Sequence, residues 1–308
     1  MKLSKRILYF VEYAAIRSTL WLVRTSPTRP TVRFAETLAS ICFLLMGSKR
    51  RVAVDNILAA GIADTPEAAR RTARASFRHF GAMLIEALKA EDQILEDNWR
   101  NSVDVVIPDD TMALLNDPKQ GIIVVTAHFG SWEVAAQCLS FFKPVVAIAR
   151  NMANPYADEL IQNRKKSHRF RIMPKYGPFG TRLFKPLKDG HILGILSDQH
   201  PRAGGMVLNF LGRPAATHKS PARLHLMTGA PVCFAYCVRL GPMRYRFQCS
   251  NVIRRKATDD RDADQRYILE TLTAAMEEVI RETPEQYLWA HRRWRVAPQE
   301  PNPAPAKA

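Results

Sequence analysis

The spacing of apolar residues changes along this chain, and the changes divide it. Residues 7–23 (ILYFVEYAAIRSTLWLV) form an apolar, aromatic run interrupted by Glu12 and Arg17. A second run, Phe34 to Gly47, is followed by Lys49, Arg50 and Arg51. Residues 52–100 are rich in alanine, leucine and charge and predict helices. One, over Ile62 to Arg74, carries the start signal Asp64-Thr65-Pro66-Glu67, a cap followed by proline and an acid in the first turn. Between Arg78 and Ala90, Phe80, Met83, Leu84, Ala87 and Leu88 recur at helical spacing. After Val105 short β-branched runs take over. They predict strands at 122–127, 144–149, 171–174, 191–197, 231–238 and 244–252, with helices at 132–142, 155–168, 180–189 and 219–228. This alternation predicts an α/β fold: a mixed, mostly parallel sheet flanked by helices, with an N-terminal helical membrane-associating region. Residues 262–282 predict an amphipathic helix, and the Pro/Ala-rich end predicts disorder. The expected division is a membrane-associating region at 1–51, an α/β domain at 52–296 and a tail at 297–308.

Charge sharpens the reading of the N-terminus. A spanning helix needs about 20 mostly apolar residues, and an ion at mid-span costs about 3 kcal/mol on insertion scales. Glu12 and Arg17 therefore favour a helix lying in the interface, with Tyr9, Phe10 and Trp21 at headgroup depth, over a single crossing anchor. No small-residue cleavage site follows the run, which argues against a secretory signal. The chain carries a net charge of +16, and residues 1–51 hold ten Lys/Arg against two Asp/Glu, half of that excess. Such a charge points to an anionic membrane surface, a phosphorylated substrate or nucleic acid. No aromatic-rich recognition motif accompanies it, so no nucleic acid is expected. The five cysteines form no CxxC pair and no Cys/His zinc spacing, so no metal is expected and reduced buried thiols are.

Three segments carry candidate chemistry. In Gly121–Glu133 (GIIVVTAHFGSWE) a β-branched run delivers His128 to a strand end, with Gly130 in the turn and Glu133 five residues after the histidine. A neutral imidazole can take a proton from a hydroxyl, and a carboxylate on its other nitrogen fixes the tautomer. Glu133 also suits the first turn of the following helix simply as an anion. In HILGILSDQH, Asp198 sits where another parallel strand should end, and the segment after it reads as the wall of an acyl groove or as a hairpin. In NRKKSHRFRIMPK, basic residues suit a phosphate or an oxyanion. No GxSxG elbow and no plausible cysteine nucleophile are present, which favours direct attack by a substrate hydroxyl on an activated acyl group over a covalent enzyme intermediate.

Taken together, AHFGSWE, NPYADELIQNR, SDQHP, NFLGRPAATHKSPARLHLMTGAPV and PEQYLWAHRRWR resemble the bacterial late lipid A biosynthesis acyltransferases, within the wider lysophospholipid acyltransferase-like group. The resemblance covers roughly residues 5–295. Its His-x4-Asp/Glu pattern falls on His128 and Glu133 and implies a general base and its partner. Arg164 and Asp198 match the family's important Arg and Asp, implying that they face the same pocket, and Gly130 falls among the implied substrate-binding residues. The implied reaction moves an acyl chain from an acyl carrier protein or CoA thioester to a hydroxyl of a phosphorylated glycolipid, the lipid A precursor, without a cofactor. The implied location is the cytoplasmic face of the bacterial inner membrane. Where many members read Asp-Gln-Asp, this chain reads Asp198-Gln199-His200. Another lipid acceptor (a lysophospholipid, ornithine lipid or other glycolipid), a thioesterase, or a non-enzymatic basic membrane-binding protein are the alternatives.

Overall fold

The computed structural model describes residues 3–149, 152–166, 169–174, 181–201 and 204–295, with the backbone alone at Leu3, Ser4, 161–166, Pro174 and Thr181. The chain opens with four helices, α1 (Leu3–Thr25), α2 (Thr28–Leu45), α3 (Gly47–Ala59) and α4 (Pro66–Gln93). Strand β1 (Val103–Val106) and helix α5 (Asp109–Asn116) lead into an alternating stretch: β2 (Ile122–Thr126), α6 (Trp132–Phe142), β3 (Val145–Ala149), α7 (Pro155–Lys166), β4 (Phe170–Pro174), α8 (Thr181–Lys188) and β5 (Ile192–Leu196). A hairpin follows, β6 (Met206–Phe210) and β7 (Arg213–Thr217), then α9 (Ser220–Thr228), β8 (Val232–Gly241), β9 (Arg244–Cys249) and α10 (Arg261–Glu282).

Seven strands form one sheet in the order β1-β9-β8-β2-β5-β3-β4. The run from β8 to β4 is parallel; β9 pairs antiparallel to β8, and β1 pairs parallel to β9. The α/β class and the mostly parallel sheet are those expected. Strand β2 explains its own unbroken apolar run. Ile123 and Val125 enter the core shared with Ile57, Leu193, Phe234 and Ile280, while Ile122 and Val124 enter the core shared with Leu115, Cys138 and Phe247. A strand buried on both faces has no polar alternation to display.

Two expectations are corrected and one alternative is decided. The two helices expected between Ile62 and Ala90 are one, α4, because nothing between Arg74 and Arg78 breaks the helix. Its start is as read: Pro66 opens it, and the Thr65 hydroxyl accepts from the Ala68 N–H at 3.2 Å. Strand β1 was missed, since it is four residues long and half exposed. The segment after Asp198 forms the β6–β7 hairpin, a separate two-stranded sheet. Residues 167–168 of the helix expected at 155–168 lie outside the described residues, as does the tail at 297–308.

Helix α4 ties the N-terminal helices to the sheet. Helix α2 lies along it, and Gly81 permits the approach: a Cβ there would sit 2.7 Å from the Ala35 carbonyl oxygen. Phe43 of α2 meets Phe77 of α4 edge-on at 5.3 Å. Farther along, the fully buried Glu86 takes two bonds from Arg239 of β8 (2.9 and 2.8 Å) and one from the Tyr245 hydroxyl of β9 (2.9 Å). The half-buried guanidinium satisfies the buried carboxylate, as burial requires. Helix α1 is held differently. Asn154, just before α7, donates to the Tyr9 carbonyl (2.8 Å) and to Glu12 (3.0 Å). The ion that interrupts the first apolar run thus faces protein.

Candidate active site

Register builds the site. Strands β2 and β5 pair in parallel from Ile122 opposite Ile192 to Thr126 opposite Leu196, a constant offset. The Ser197 N–H continues the ladder to the Thr126 carbonyl at 3.2 Å. Two residues beyond the last pair, the same offset sets His128 opposite Asp198. His128 Nδ1 and Asp198 Oδ1 are 2.9 Å apart. A carboxylate only accepts, so Nδ1 carries the proton and Nε2 keeps its lone pair. The His128 side chain is 23% exposed and that of Asp198 is 3% exposed. The acid is sealed in and the base reaches the surface.

This arrangement revises the expected pairing. Glu133 lies in the first turn of α6, as expected. The carboxylate on the imidazole, however, is Asp198, and Glu133 acts on the ring through its charge. Burial by itself would lower the His128 pKa, but the Asp198 charge and hydrogen bond, with the Glu133 charge, raise it above 6.5. The Asp198 carboxyl answers in the opposite sense: burial favours its neutral form, but His128 outweighs that and holds it below the ordinary value. Trp132 meets the imidazole edge-on at 5.2 Å, and the Gln199 amide lies 3.5 Å from both ring nitrogens.

The turn that carries His128 is held from three further directions. The Ser131 N–H donates to the Cys237 carbonyl of β8 at 2.7 Å. A C-terminal strap, Thr283 to Arg295, is stitched to it: Gly130 N–H donates to the Gln286 carbonyl (2.9 Å), Leu288 N–H donates to the His128 carbonyl (3.1 Å), and Phe129 bridges Tyr287. From α4, buried His79 donates Nε2–H to the Gly130 carbonyl at 3.1 Å. Burial drives its pKa down to about 4, so it stays a neutral donor. Gly130 has φ +57°, and a Cβ there would lie 2.1 Å from the Cys237 carbonyl oxygen. Its N–H and C=O are both engaged within the protein. Gly130 therefore shapes the turn, and the turn amides of Gly130 and Ser131 are not available to an oxyanion. Asp198, also expected to meet substrate, is instead turned to His128. Arg164 falls in α7, where only the backbone is described.

An apolar cavity of about 110 Å³ opens beside this pair, between α6 and the sheet. Trp132 and Glu133 stand on its wall with Thr126, and Val124, Leu139, Phe170, Ile172 and Gly194 line the rest. Among the described residues no group of His, Cys, Asp and Glu is arranged to hold a metal ion. Sequence reasoning missed His79 and the stitching by Gln286 and Leu288, which come from helical or loop segments far away in the chain. Asp198 carried a signal, a strand ending in an acid, but no sequence feature states that β5 neighbours β2.

A His–Asp pair thus stands at the carboxyl ends of neighbouring parallel strands, next to an apolar slot walled by Trp132 and Glu133. The comparisons give the family. Residues 1–296 match the model of the bacterial lipid A biosynthesis acyltransferases, and the chain belongs to that family. It is similar to the Lipid A biosynthesis lauroyltransferase of Escherichia coli (strain K12), 28% identical over 189 residues, 59% of this chain and 58% of that protein. It is likewise similar to the Lipid A biosynthesis palmitoleoyltransferase of the same organism, 27% identical over 183 residues, 58% of this chain and 57% of that protein. The matched span is thus under two thirds of the length of either relative. Among solved structures, the 1-acyl-sn-glycerophosphate acyltransferase of Thermotoga maritima aligns with a TM-score of 0.38 at 15% identity, covering 81% of this chain and 98% of that one.

The electrostatics make a prediction that needs no turnover. NMR titration of the His128 imidazole should give a pKa above 6.5. In Asp198→Asn the raising charge is gone and burial remains, so the midpoint should fall. A midpoint that Asp198→Asn leaves in place would assign the shift elsewhere.

Proposed function

We propose that this chain transfers a fatty acyl group from a thioester, carried by acyl carrier protein or CoA, to a hydroxyl of a lipid A precursor. The observation that carries the reading is the 2.9 Å bond between His128 Nδ1 and Asp198, which leaves Nε2 as a base beside an apolar slot. The acceptor hydroxyl gives its proton to Nε2 as its oxygen attacks the thioester carbonyl. The tetrahedral intermediate collapses with cleavage of the C–S bond, and the imidazolium returns the proton to the departing thiolate. An ester and a free thiol result, and the enzyme is unchanged. Asp198 holds the tautomer and stabilises the imidazolium; Glu133 adds negative charge at the same ring. The acyl chain occupies the slot between α6 and the sheet. Arg164 is assigned to the oxyanion or to a substrate phosphate, the role its place in the family motif supports. Residues 52–296 form the acyltransferase domain in this reading.

A lipid substrate calls for a membrane surface, and the N-terminal helices supply one. Phe34, Leu38, Ile41 and Leu45 recur at helical spacing along α2 and are 47–79% exposed, while Val32 and Phe43 of the same helix are buried. Phe10, Trp21 and Leu22 of α1 and Leu84 of α4 are also exposed. Exposed apolar surface on this scale, with basic residues beside it, fits the interface of an anionic bilayer. Among the described residues no single helix is long and apolar enough to cross a membrane; the pair α2 and α3 passes by length but is bent by 92°. Part of α3 is also committed to the core, where Ala53 and Ile57 are buried. The reading is therefore peripheral attachment of residues 1–51 at the cytoplasmic face of the inner membrane.

Two outcomes are expected. Purified chain given an acyl thioester and a lipid A precursor should yield an acceptor heavier by one acyl group, and His128→Ala should lower that rate by at least about 10² with unchanged thermal stability. An active, folded His128→Ala ends the general-base assignment. In flotation with vesicles containing anionic lipid, a Phe34→Asp, Leu38→Asp double variant should leave the lipid fraction; retention equal to wild type would place the membrane face elsewhere.

A further inference from the structure

The strap carries a buried cation whose charge nothing in the mechanism uses. Arg293 is 2% exposed, and its guanidinium lies over the Phe210 ring, 5.1 Å from the centroid. One Nη donates to the Ala216 carbonyl and the other to the Thr217 hydroxyl at 2.8 Å, both neutral acceptors on β7. Its Nε is buried without a hydrogen-bond partner. Among the described residues no carboxylate lies within ion-pair distance of it. Asp198 is the acid whose field reaches Arg293, and Asp198 already serves His128. A buried cation satisfied only by neutral groups is costly, and an anion brought alongside would offset the cost.

The surroundings of Arg293 are also basic. His291 Nε2 accepts the His200 N–H at 3.4 Å, and His200 Nδ1 is buried with no partner. Both imidazoles are half-buried, and Arg295 is exposed beside them. Burial, reinforced by the charges of Arg295 and Arg293, holds both histidines below 6.5, while the Asp198 charge works the other way at His291. The cluster adjoins the base: Gln199 precedes His200 and lies against the His128 ring, and Leu288, three residues before His291, donates to the His128 carbonyl.

We propose that His200, His291, Arg293 and Arg295 form a phosphate-binding subsite next to His128, with buried Arg293 as its fixed charge and Arg295 and the histidines as its rim. Phosphate suits the donor set, since guanidinium N–H groups and imidazole N–H groups meet its oxygens with charge-assisted bonds. The inference rests on the acyl-transfer reading for the identity of the phosphate, which belongs either to the glycolipid acceptor or to the thioester donor. A phosphate anchored here would set the distance from the anchored group to the attacked carbonyl, and so which acceptor hydroxyl reaches Nε2.

Binding measured without turnover tests it. The full chain in detergent micelles is titrated calorimetrically with a phosphorylated lipid A precursor, with the same lipid after phosphatase treatment, and with the acyl carrier thioester. Arg295→Gln and His291→Gln change the rim and leave the Arg293 packing intact. Each should raise Kd for one phosphate-bearing substrate about tenfold, the loss of one charge-assisted hydrogen bond, while the phosphatase-treated lipid binds as to wild type. Arg295→Lys should recover most of the affinity. A rise confined to the phosphorylated lipid assigns the phosphate to the acceptor, and a rise confined to the thioester assigns it to the donor. Unchanged affinity for both, equal losses on phosphorylated and phosphatase-treated lipid, or a wild-type chain that binds none of the three overturns the subsite. A chain that shows the expected binding pattern but moves no acyl group sinks the acyl-transfer reading and leaves the subsite standing.

Discussion

The backbone ladder between β2 and β5 decides where the proposed chemistry lies. Five consecutive pairs, Ile122–Ile192 to Thr126–Leu196, fix the offset that brings His128 and Asp198 face to face beyond the strand ends. A slip of one residue would turn one of the two side chains to the opposite face of the sheet. The ladder is hard to shift because both strands are buried and β2 feeds two cores at once. The hydrophobic effect that folds the sheet thereby specifies a hydrogen bond of 2.9 Å at its rim. The strap, β8 and α4 then immobilise the turn, so the imidazole is presented in one orientation before any substrate arrives. Preorganisation of this kind would spare the proposed reaction the cost of arranging its base.

Much of the architecture was legible because the apolar period changes where the architecture changes. The helix at Trp132–Phe142 and the cap at Thr65 are written in local chemistry, and so are His128 at a strand end and Glu133 in a first helical turn. What was not legible is non-local. The acid that holds His128 comes from 70 residues away because β5 inserts between β2 and β3, and no spacing rule reports a strand order. The near carboxylate, Glu133, was the natural partner on sequence distance; the structure gives it an electrostatic part and gives Asp198 the hydrogen bond. His79 read as one more residue in a helix, since only the fold reveals the Gly130 carbonyl above it. Gly130 was rightly placed in the turn, but the reason is its fit against Cys237.

The site joins an apolar region and a basic one. The slot between α6 and the sheet is lined by apolar side chains, the N-terminal helices present apolar side chains outward, and the strap carries Arg293 and Arg295 close to His291. An amphiphile with a fatty chain and an anionic head would be oriented by both ends. The N-terminal helices are also joined to the rest of the fold, α1 through Asn154 and α2 through α4, the helix that carries His79.

The claim on which this account turns is that His128 and Asp198 act as one unit. A double-mutant cycle on kcat/KM for acyl transfer, with His128→Ala, Asp198→Asn and the pair combined, tests it most directly. The account predicts that the combined variant is no slower than His128→Ala by itself, because an orienting acid has nothing to orient once the imidazole is gone. Losses that multiply would show that Asp198 acts independently of His128 and would contradict it.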